Sequence, residues 1–339
     1  MEPTIVGVDI AKRVFQLHWV DRETGEVFDR QLKRGAFLEH FANREPCLIG
    51  MEACGGSQHW ARRLGELGHR VKLMPGKLVK AFVTGNKNDV ADARAIWAAT
   101  RQPGIKTVAV KTEAQQAVLA LHRMRQQLVI FRRSQSNCLR GLLSEYGEVM
   151  ALGRAAMTRA MPEVLARLES RLPAVLIDSL REQWQRLSNV DEAIARIERR
   201  LRAWLQESEA CKAIADIPGV GFLTATAAVA AMGDAKAFKS GREFAAWLGL
   251  VPAQIGTGGK VRLLGISKRG DRYLRTLLIH GARSVMKHVK DSESWAAKLS
   301  RRRPLNIVIV ALANKMARTI WALLAHRCSY RADYPVATA

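Results

Sequence analysis

Cysteine is scarce and scattered. The five cysteines (Cys47, Cys54, Cys138, Cys211, Cys328) form no C-x-x-C pair, and no histidine spacing completes a zinc set. They read as small core residues in a reducing compartment, which sets aside a disulfide framework and a zinc finger. Long apolar runs are also missing. The longest near the end, residues 307–313, is too short to cross a bilayer, and Asn314, Lys315 and Arg318 follow it. No secretory leader and no membrane partner are therefore expected. No ATP-binding motif and no long low-complexity segment are present. Acid is in short supply: 31 Asp and Glu face 54 Lys and Arg, a net charge of +23. More than half of that excess lies after residue 205. With 48% hydrophobic residues the chain can bury a sizeable core, so a folded, strongly basic protein is expected, and its natural partner is a polyanion such as nucleic acid.

The pattern along the chain divides it. TIVGVDIA, VFQLHWVD and GEVFDRQL read as three strands. A helix near residues 35–43, the strand CLIGMEA, a helix carrying Trp60, Leu64 and Leu67, the strand RVKLMP and a helix from Asp89 follow. That is an α/β layer. From about 114 to 207 the apolar spacing turns heptad-like, first at Leu121, Met124, Leu128, Phe131, Gln135, Cys138 and Leu142. It resumes at Leu187, Val190, Ile194, Ile197, Leu201 and Trp204. With Pro162 and Pro173 between the runs, two long helices folding back as a partner-contacting arm are expected. The last third opens with IADIPGVGFLTATAAVAAM, a helix-hairpin-helix pattern in which Gly219 and Gly221 would let backbone N–H groups approach a phosphate. The resulting divisions are 1–112, 113–208, 209–327 and a poorly ordered tail at 328–339.

Two acids sit where acids are costly. Asp9 interrupts IVGVDIA and Glu52 interrupts LIGMEAC; an unpaired carboxylate in a buried strand carries a desolvation penalty. The pair implies convergence on a shared cation. Asp89 and Asp92, in NKNDVADAR, share one helix face three residues apart. Oxygen-only ligands suit magnesium, or manganese, rather than zinc.

The order VGVDIAK, GMEACGG, KNDVADARAI resembles the DEDD acidic set of an RNase-H-like, RuvC-type nuclease domain. IPGVGFLTA, FKSGREFAAWLGLVP and GGKVRLLGISKRGDRYLR resemble the mainly helical C-terminal serine domain of the IS110 insertion-sequence transposases. The resemblance covers nearly the whole chain. It implies a bacterial cytoplasmic DNA recombinase that moves its own element, guided by a structured non-coding RNA that pairs with donor and target DNA. It implies magnesium on Asp9, Glu52, Asp89 and Asp92. It implies a nucleophilic Ser240 and dimers assembling to tetramers, the acidic site of one subunit completed by the serine domain of another.

Ser240 also opens the S-x-x-E capping box of a helix start, with Glu243 as its acidic member. Attack by its hydroxyl on a DNA phosphate would give a covalent phosphoserine and conserve the phosphodiester energy, so no ATP is required. Around it Lys239, Arg242, Lys260, Arg262, Lys268, Arg269, Arg272 and Arg275, with the glycines of residues 256–259, offer phosphate-gripping groups. Ser267 is the second choice as nucleophile, Ser284 a third, and Ser57 reads as a helix cap. The acidic set alone also fits a junction nuclease that uses water; a non-catalytic nucleic-acid-binding protein is the other alternative.

Overall fold

The computed structural model describes residues 3–86, 88–288 and 293–331. The chain divides into two compact units, residues 1–113 with 232–239, and residues 114–231 with 240–339. Of the expected tail, residues 332–339 lie outside the described residues.

The first unit is built on a five-stranded mixed sheet in the order β3-β2-β1-β4-β5, comprising β1 (Ile5–Ile10), β2 (Val14–Val20), β3 (Val27–Lys33), β4 (Leu48–Glu52) and β5 (Arg70–Met74). The first three strands form an antiparallel meander, and β4 and β5 add parallel to β1. Strand alternation gives the sheet two unlike faces. Val6, Val8, Phe15, Leu17, Ile49 and Met51 lie on one, in a core completed by Phe37 and Phe41 of α1 (Phe37–Ala42) and Trp60 and Leu64 of α2 (Ser57–Glu66). Trp60 meets Phe15 and Phe37 edge to face. The other face carries Gly7, Asp9, Gln16, His18, Gly50 and Glu52, by the register that pairs Gly7 with both His18 and Gly50, and Asp9 with Gln16. After the short α3 (Gly76–Val79), α4 (Asp89–Arg101) lies on this second face. This mixed α/β layer is consistent with an RNase-H-like domain.

The contact between α4 and the sheet is set by two missing side chains. A Cβ at Gly7 would collide with the Ala93 carbonyl and the Trp97 backbone, and one at Gly50 with the Thr100 side chain. Gly7 and Gly50 are register partners on adjacent strands, so together they open a trough into which the helix backbone settles. Trp97 then stacks edge-on against buried His18, which bonds Asp29 at 2.8 Å, and Arg94 reaches the same carboxylate at 3.2 Å.

The second unit is helical apart from one hairpin. It holds α5 (Glu113–Glu145), α6 (Arg154–Glu169), α7 (Ala174–Glu207), α8 (Glu209–Ala215), α9 (Phe222–Met232), α10 (Gly241–Trp247), β6 (Pro252–Thr257), β7 (Lys260–Ile266), α11 (Arg272–His288), α12 (Trp295–Ser300) and α13 (Leu305–His326). By length and composition α13 could cross a membrane. Here it is a core helix, with Val308, Ile309, Ala313, Met316, Ala317 and Ile320 buried and α8, α10 and α11 packed on it.

Two expectations for the middle of the chain change. Pro162 does not separate two helices: it lies inside a third, α6, whose Met157, Met161, Val164, Leu165 and Leu168 face α5 and α7 in one core. The heptad seam expected on α5 holds in part: Leu121 and Leu128 pack against Ile197 and Leu201 of α7, and Gln135 meets Gln183. The fully buried residues of α5 are Val118, His122, Leu139 and Leu143, and polar pairs flank the apolar contact with α7: Arg125 with Glu198 at 2.7 Å, Arg132 with Asp191 at 3.1 Å and Gln135 with Gln183 at 3.4 Å. Met124, Phe131 and Cys138, seven residues apart, face outward. On α7 the seam is as expected, with Leu187, Ile194, Ile197 and Leu201 buried.

His122 joins α5 to α9 and α11. The Thr226 hydroxyl donates to the Phe222 carbonyl at 2.7 Å, so its oxygen accepts from His122 Nε2–H at 3.0 Å; Nδ1 then accepts from the Tyr273 hydroxyl, also at 3.0 Å. Burial, with Arg125 nearby, lowers the His122 pKa to about 4.

Two predictions follow from this packing. Gly7→Ala should lower the free energy of unfolding by about 1–3 kcal/mol in urea titrations, because the added methyl must displace a helix backbone. Gly65→Ala, at an α2 position where a Cβ meets nothing, should instead gain about 0.5–1 kcal/mol. Because His122 binds its proton only near pH 4 when folded and near 6.5 when unfolded, the unfolded chain takes up the proton first on acidification. Stability should therefore fall by up to about 3 kcal/mol between pH 6.5 and 4, and His122→Gln should remove that part of the pH dependence.

Candidate active site and nucleic-acid contacts

The register brings Asp9 and Glu52 together. Val8 pairs with Met51, so the next residues, Asp9 and Glu52, stand side by side near the ends of parallel β1 and β4. Both are half-buried on the α4 face. Their common field is felt at Cys54, whose thiol is pushed up by burial and then by the charges of Glu52 and Asp9. Glu52 is seated by an absence: a Cβ on Gly76 would strike its carboxylate, so the glycine opening α3 makes the space that the carboxylate occupies.

Asp89 and Asp92 open α4, capped by Asn88, whose side chain accepts from the Ala91 N–H at 2.7 Å. Asp89 heads the row Asp89, Ala93, Trp97, whose later members press on Gly7. Asp92 heads the row Asp92, Ile96, Thr100, which ends over Gly50. The helix acids thus belong to rows that track β1 and β4, the strands bearing Asp9 and Glu52. Among the described residues no three His, Cys, Asp or Glu side chains close into a metal-sized cluster; the acids stand as a strand pair and a helix pair. The donor set is hard oxygen throughout, and the missing side chain of Gly76 makes room for the Glu52 carboxylate. These residues fit a magnesium-like ion, which retains much of its water and takes few carboxylates.

Gln16 was not legible as a site residue. It is buried and is the cross-strand partner of Asp9, and only the sheet register reveals it.

In the second unit Ser240 is the N-cap of α10, extended (φ −162°, ψ 164°), its hydroxyl oxygen accepting from the Glu243 N–H at 3.3 Å. It is half-buried. The next residue explains its seat: a Cβ on Gly241 would lie 2.9 Å from the Arg318 carbonyl, so the start of α10 rests directly on the α13 backbone. That contact places exposed Arg318 on the neighbouring helix surface. Because α10 is only seven residues long, its dipole adds little anion attraction. The rival serines are less available. Ser267 Oγ is buried without a hydrogen-bond partner among the described residues. Ser57 is not a cap: Gly56 is, and the buried Ser57 hydroxyl donates to the Cys54 carbonyl at 2.9 Å. Ser284 lies exposed on α11.

The basic residues sort by exposure. Lys239, Arg242, Lys260, Arg262, Lys268, Arg269 and Arg272 are exposed. Arg275 departs from the expectation. It is buried, and its Nη1 donates to the carbonyls of Leu248 at 2.8 Å and Arg269 at 2.9 Å, tying α11 to the end of α10 and the loop after β7. The glycines at 256–259 also have another reason to be there: Gly258 (φ +55°) and Gly259 (φ +79°) form the two-residue turn between β6 and β7, the left-handed pair such hairpins need. Gly219 (φ +84°) turns the chain between α8 and α9, and a Cβ there would lie 2.8 Å from the Gly281 carbonyl. Its role is close packing on α11. Gly221 has open space at its Cβ position.

Comparison with known proteins agrees with both halves. Residues 6–148 match the DEDD transposase model of the IS110 type, and residues 211–298 match the model described as the transposase IS116/IS110/IS902 family. A probable family 20 transposase of Pseudomonas aeruginosa is 46% identical, over 96% of this chain and 98% of the relative. The transposase for insertion sequence element IS1111A of Coxiella burnetii is 43% identical over 96% and 91%. That for IS1328 of Yersinia enterocolitica is 38% identical over 94% and 96%.

Arg275→Ala should cost about 2–4 kcal/mol of stability, because two buried carbonyls lose a charged donor. Arg242→Ala, on the surface, should stay within about 0.5 kcal/mol. Thermal unfolding of the two variants side by side checks this.

Proposed function

The chain belongs to the IS116/IS110/IS902 family of insertion-sequence transposases, and from that premise we propose how it cuts and rejoins its DNA. Ser240 is the nucleophile. Its Oγ attacks a DNA phosphorus, the Oγ–P bond forms as the P–O3′ bond breaks, the hydroxyl proton is lost and the departing 3′ oxygen takes one up. A second 3′ hydroxyl then reverses the exchange on the other DNA. One observation carries this reading: of the serines weighed, Ser240 alone combines a half-exposed position, a backbone seat on α13 and exposed cations beside it in sequence, Lys239 and Arg242. Asp9, Glu52, Asp89 and Asp92 would hold magnesium or manganese, which when bound supplies positive charge at the phosphate oxygens. Lys239, Arg242, Lys268, Arg269 and Arg272 hold the nucleic-acid backbone. A structured non-coding RNA pairs with donor and target DNA and supplies most of the sequence choice. The protein works as a dimer that assembles further, and the outward heptad of Met124, Phe131 and Cys138 on α5 supports a second copy as partner.

The decisive variant is Ser240→Asn. Asparagine caps helices as well as serine does, so α10 keeps its start while the hydroxyl is gone. With DNA and magnesium the wild-type protein should give a covalent protein–DNA band on a denaturing gel. Ser240→Asn should give none and should lose recombination by at least about a thousand-fold, a loss of the size seen when a catalytic nucleophile is removed; Asp9→Asn should do the same. Cleavage that persists in Ser240→Asn would assign the attack to water and make the protein a junction nuclease.

A further inference from the structure

The hairpin β6–β7 is exposed on both faces, and the register sorts its side chains. Ile255 opposes Arg262 and Thr257 opposes Lys260 on one face; Gln254 opposes Leu263 and Gly256 opposes Val261 on the other. One side of the ribbon therefore carries a guanidinium, an ammonium and a hydroxyl beside exposed Ile255, and the other carries Leu263 and Val261 with Gln254 as its polar member. From residue 252 to 270 the sequence has Lys260, Arg262, Lys268 and Arg269 and no acid. The ribbon's paired strands belong to no larger sheet, and a Cβ at Gly258 or Gly259 in its tip meets nothing. A slender, cation-bearing ribbon with one hydrogen-bonding face is shaped for a groove rather than for a flat surface.

We propose that this ribbon enters the major groove of duplex DNA, with Arg262 reading a guanine edge and Lys260 and Thr257 adding contacts beside it. The inference deepens the DNA-recombinase reading and rests on it. The major groove of B-form DNA, roughly 12 Å wide, admits a two-stranded ribbon, and an arginine fork fits the O6 and N7 acceptors of guanine there. The major groove of A-form RNA is too deep and narrow for side chains to read, so as an occupant of a major groove the ribbon fits duplex DNA and not duplex RNA. The consequence is that the protein itself contributes to sequence choice, in addition to any choice made by base pairing.

The test is equilibrium binding without divalent ion, so that no strand is cut, using a duplex of the element's own end and a structured RNA of equal length. Arg262→Ala should weaken duplex binding about 5- to 100-fold, change RNA binding less than twofold and leave the salt dependence of duplex binding unaltered. Replacing guanine by 7-deazaguanine, which removes the N7 acceptor, should weaken the wild type and leave Arg262→Ala unchanged. Circular dichroism of the variant should match the wild type, since the side chain is exposed. The inference is overturned if Arg262→Ala lowers the salt slope by about one equally on all sequences, which marks a phosphate contact. It is equally overturned if DNA and RNA binding fall together, if 7-deazaguanine is silent, or if the only change is loss of self-association. Failure of the wild type to form the covalent DNA band would strike the recombinase reading instead and leaves this binding result separate.

Discussion

The architecture of the acidic unit depends on one contact, that of the α4 backbone with a sheet surface from which two side chains are missing. Gly7 and Gly50 are partners on β1 and β4, and each lacks the Cβ that would hold the helix away. A helix resting on ordinary side chains is held off the sheet by them; here Ala93, Trp97 and Thr100 descend into the trough. Because Asp89 and Asp92 head the rows that contain those residues, the depth of the helix also governs how near its first turn can come to the strand acids. His18, Asp29, Arg94 and Trp97 then lock the helix from the side toward β3. The glycines are thus part of the acidic site although they carry no chemistry.

The same device recurs in the helical unit. Gly219 and Gly281 face each other backbone to backbone, joining the α8–α9 turn to α11, and Gly241 sets the start of α10 on α13. In each case a residue expected to act on nucleic acid sits one or two residues from the contact: Gly221 beside the first, Ser240 beside the second. Arg275 supplies a polar version of the fastening, bridging α11 to the end of α10 with two short bonds to carbonyls. A buried guanidinium satisfied by carbonyls resists loss because removal would strand both acceptors.

Much of the α/β unit was legible in the sequence because its signals are local. Alternation and β-branching marked the strands, and a carboxylate in an apolar strand marked Asp9 and Glu52. What was not legible depended on pairing. Gln16 beside Asp9, the cradle at Gly76 and the trough at Gly7 and Gly50 appear only once register is known. The α5 seam misled in part, for a physical reason: a heptad of apolar residues announces that some face is sticky, and does not say which partner covers it. Here α7 covers the row of Leu121, Leu128 and Gln135, with Glu198, Asp191 and Gln183 as polar partners beside it, and the row of Met124, Phe131 and Cys138 turns outward. The glycines at 219 and 256–259 misled differently, since glycine permits both a phosphate approach and a tight turn, and here turn and packing account for Gly219, Gly258 and Gly259. Arg275 failed as a phosphate contact because basic residues were counted without their burial.

On the proposed mechanism, Ser240 gives a structural role and a chemical one to the same atom. Its oxygen accepts one N–H, from Glu243, at 3.3 Å. A serine hydroxyl has two acceptor lone pairs and one proton, so the cap uses one pair and leaves the other, and the proton, available. The donated bond fixes the direction of the oxygen relative to the helix, which removes rotor freedom that an attacking group would otherwise lose at the moment of reaction. It also favours the oxygen as negative charge builds during proton loss, because a hydrogen bond to the charged form stabilises that form. At 3.3 Å it is a weak bond, so the preference it gives is a mild one. On that mechanism capping would orient the hydroxyl without disarming it, and the glycine that follows, by resting α10 on α13, seats the residue that carries it.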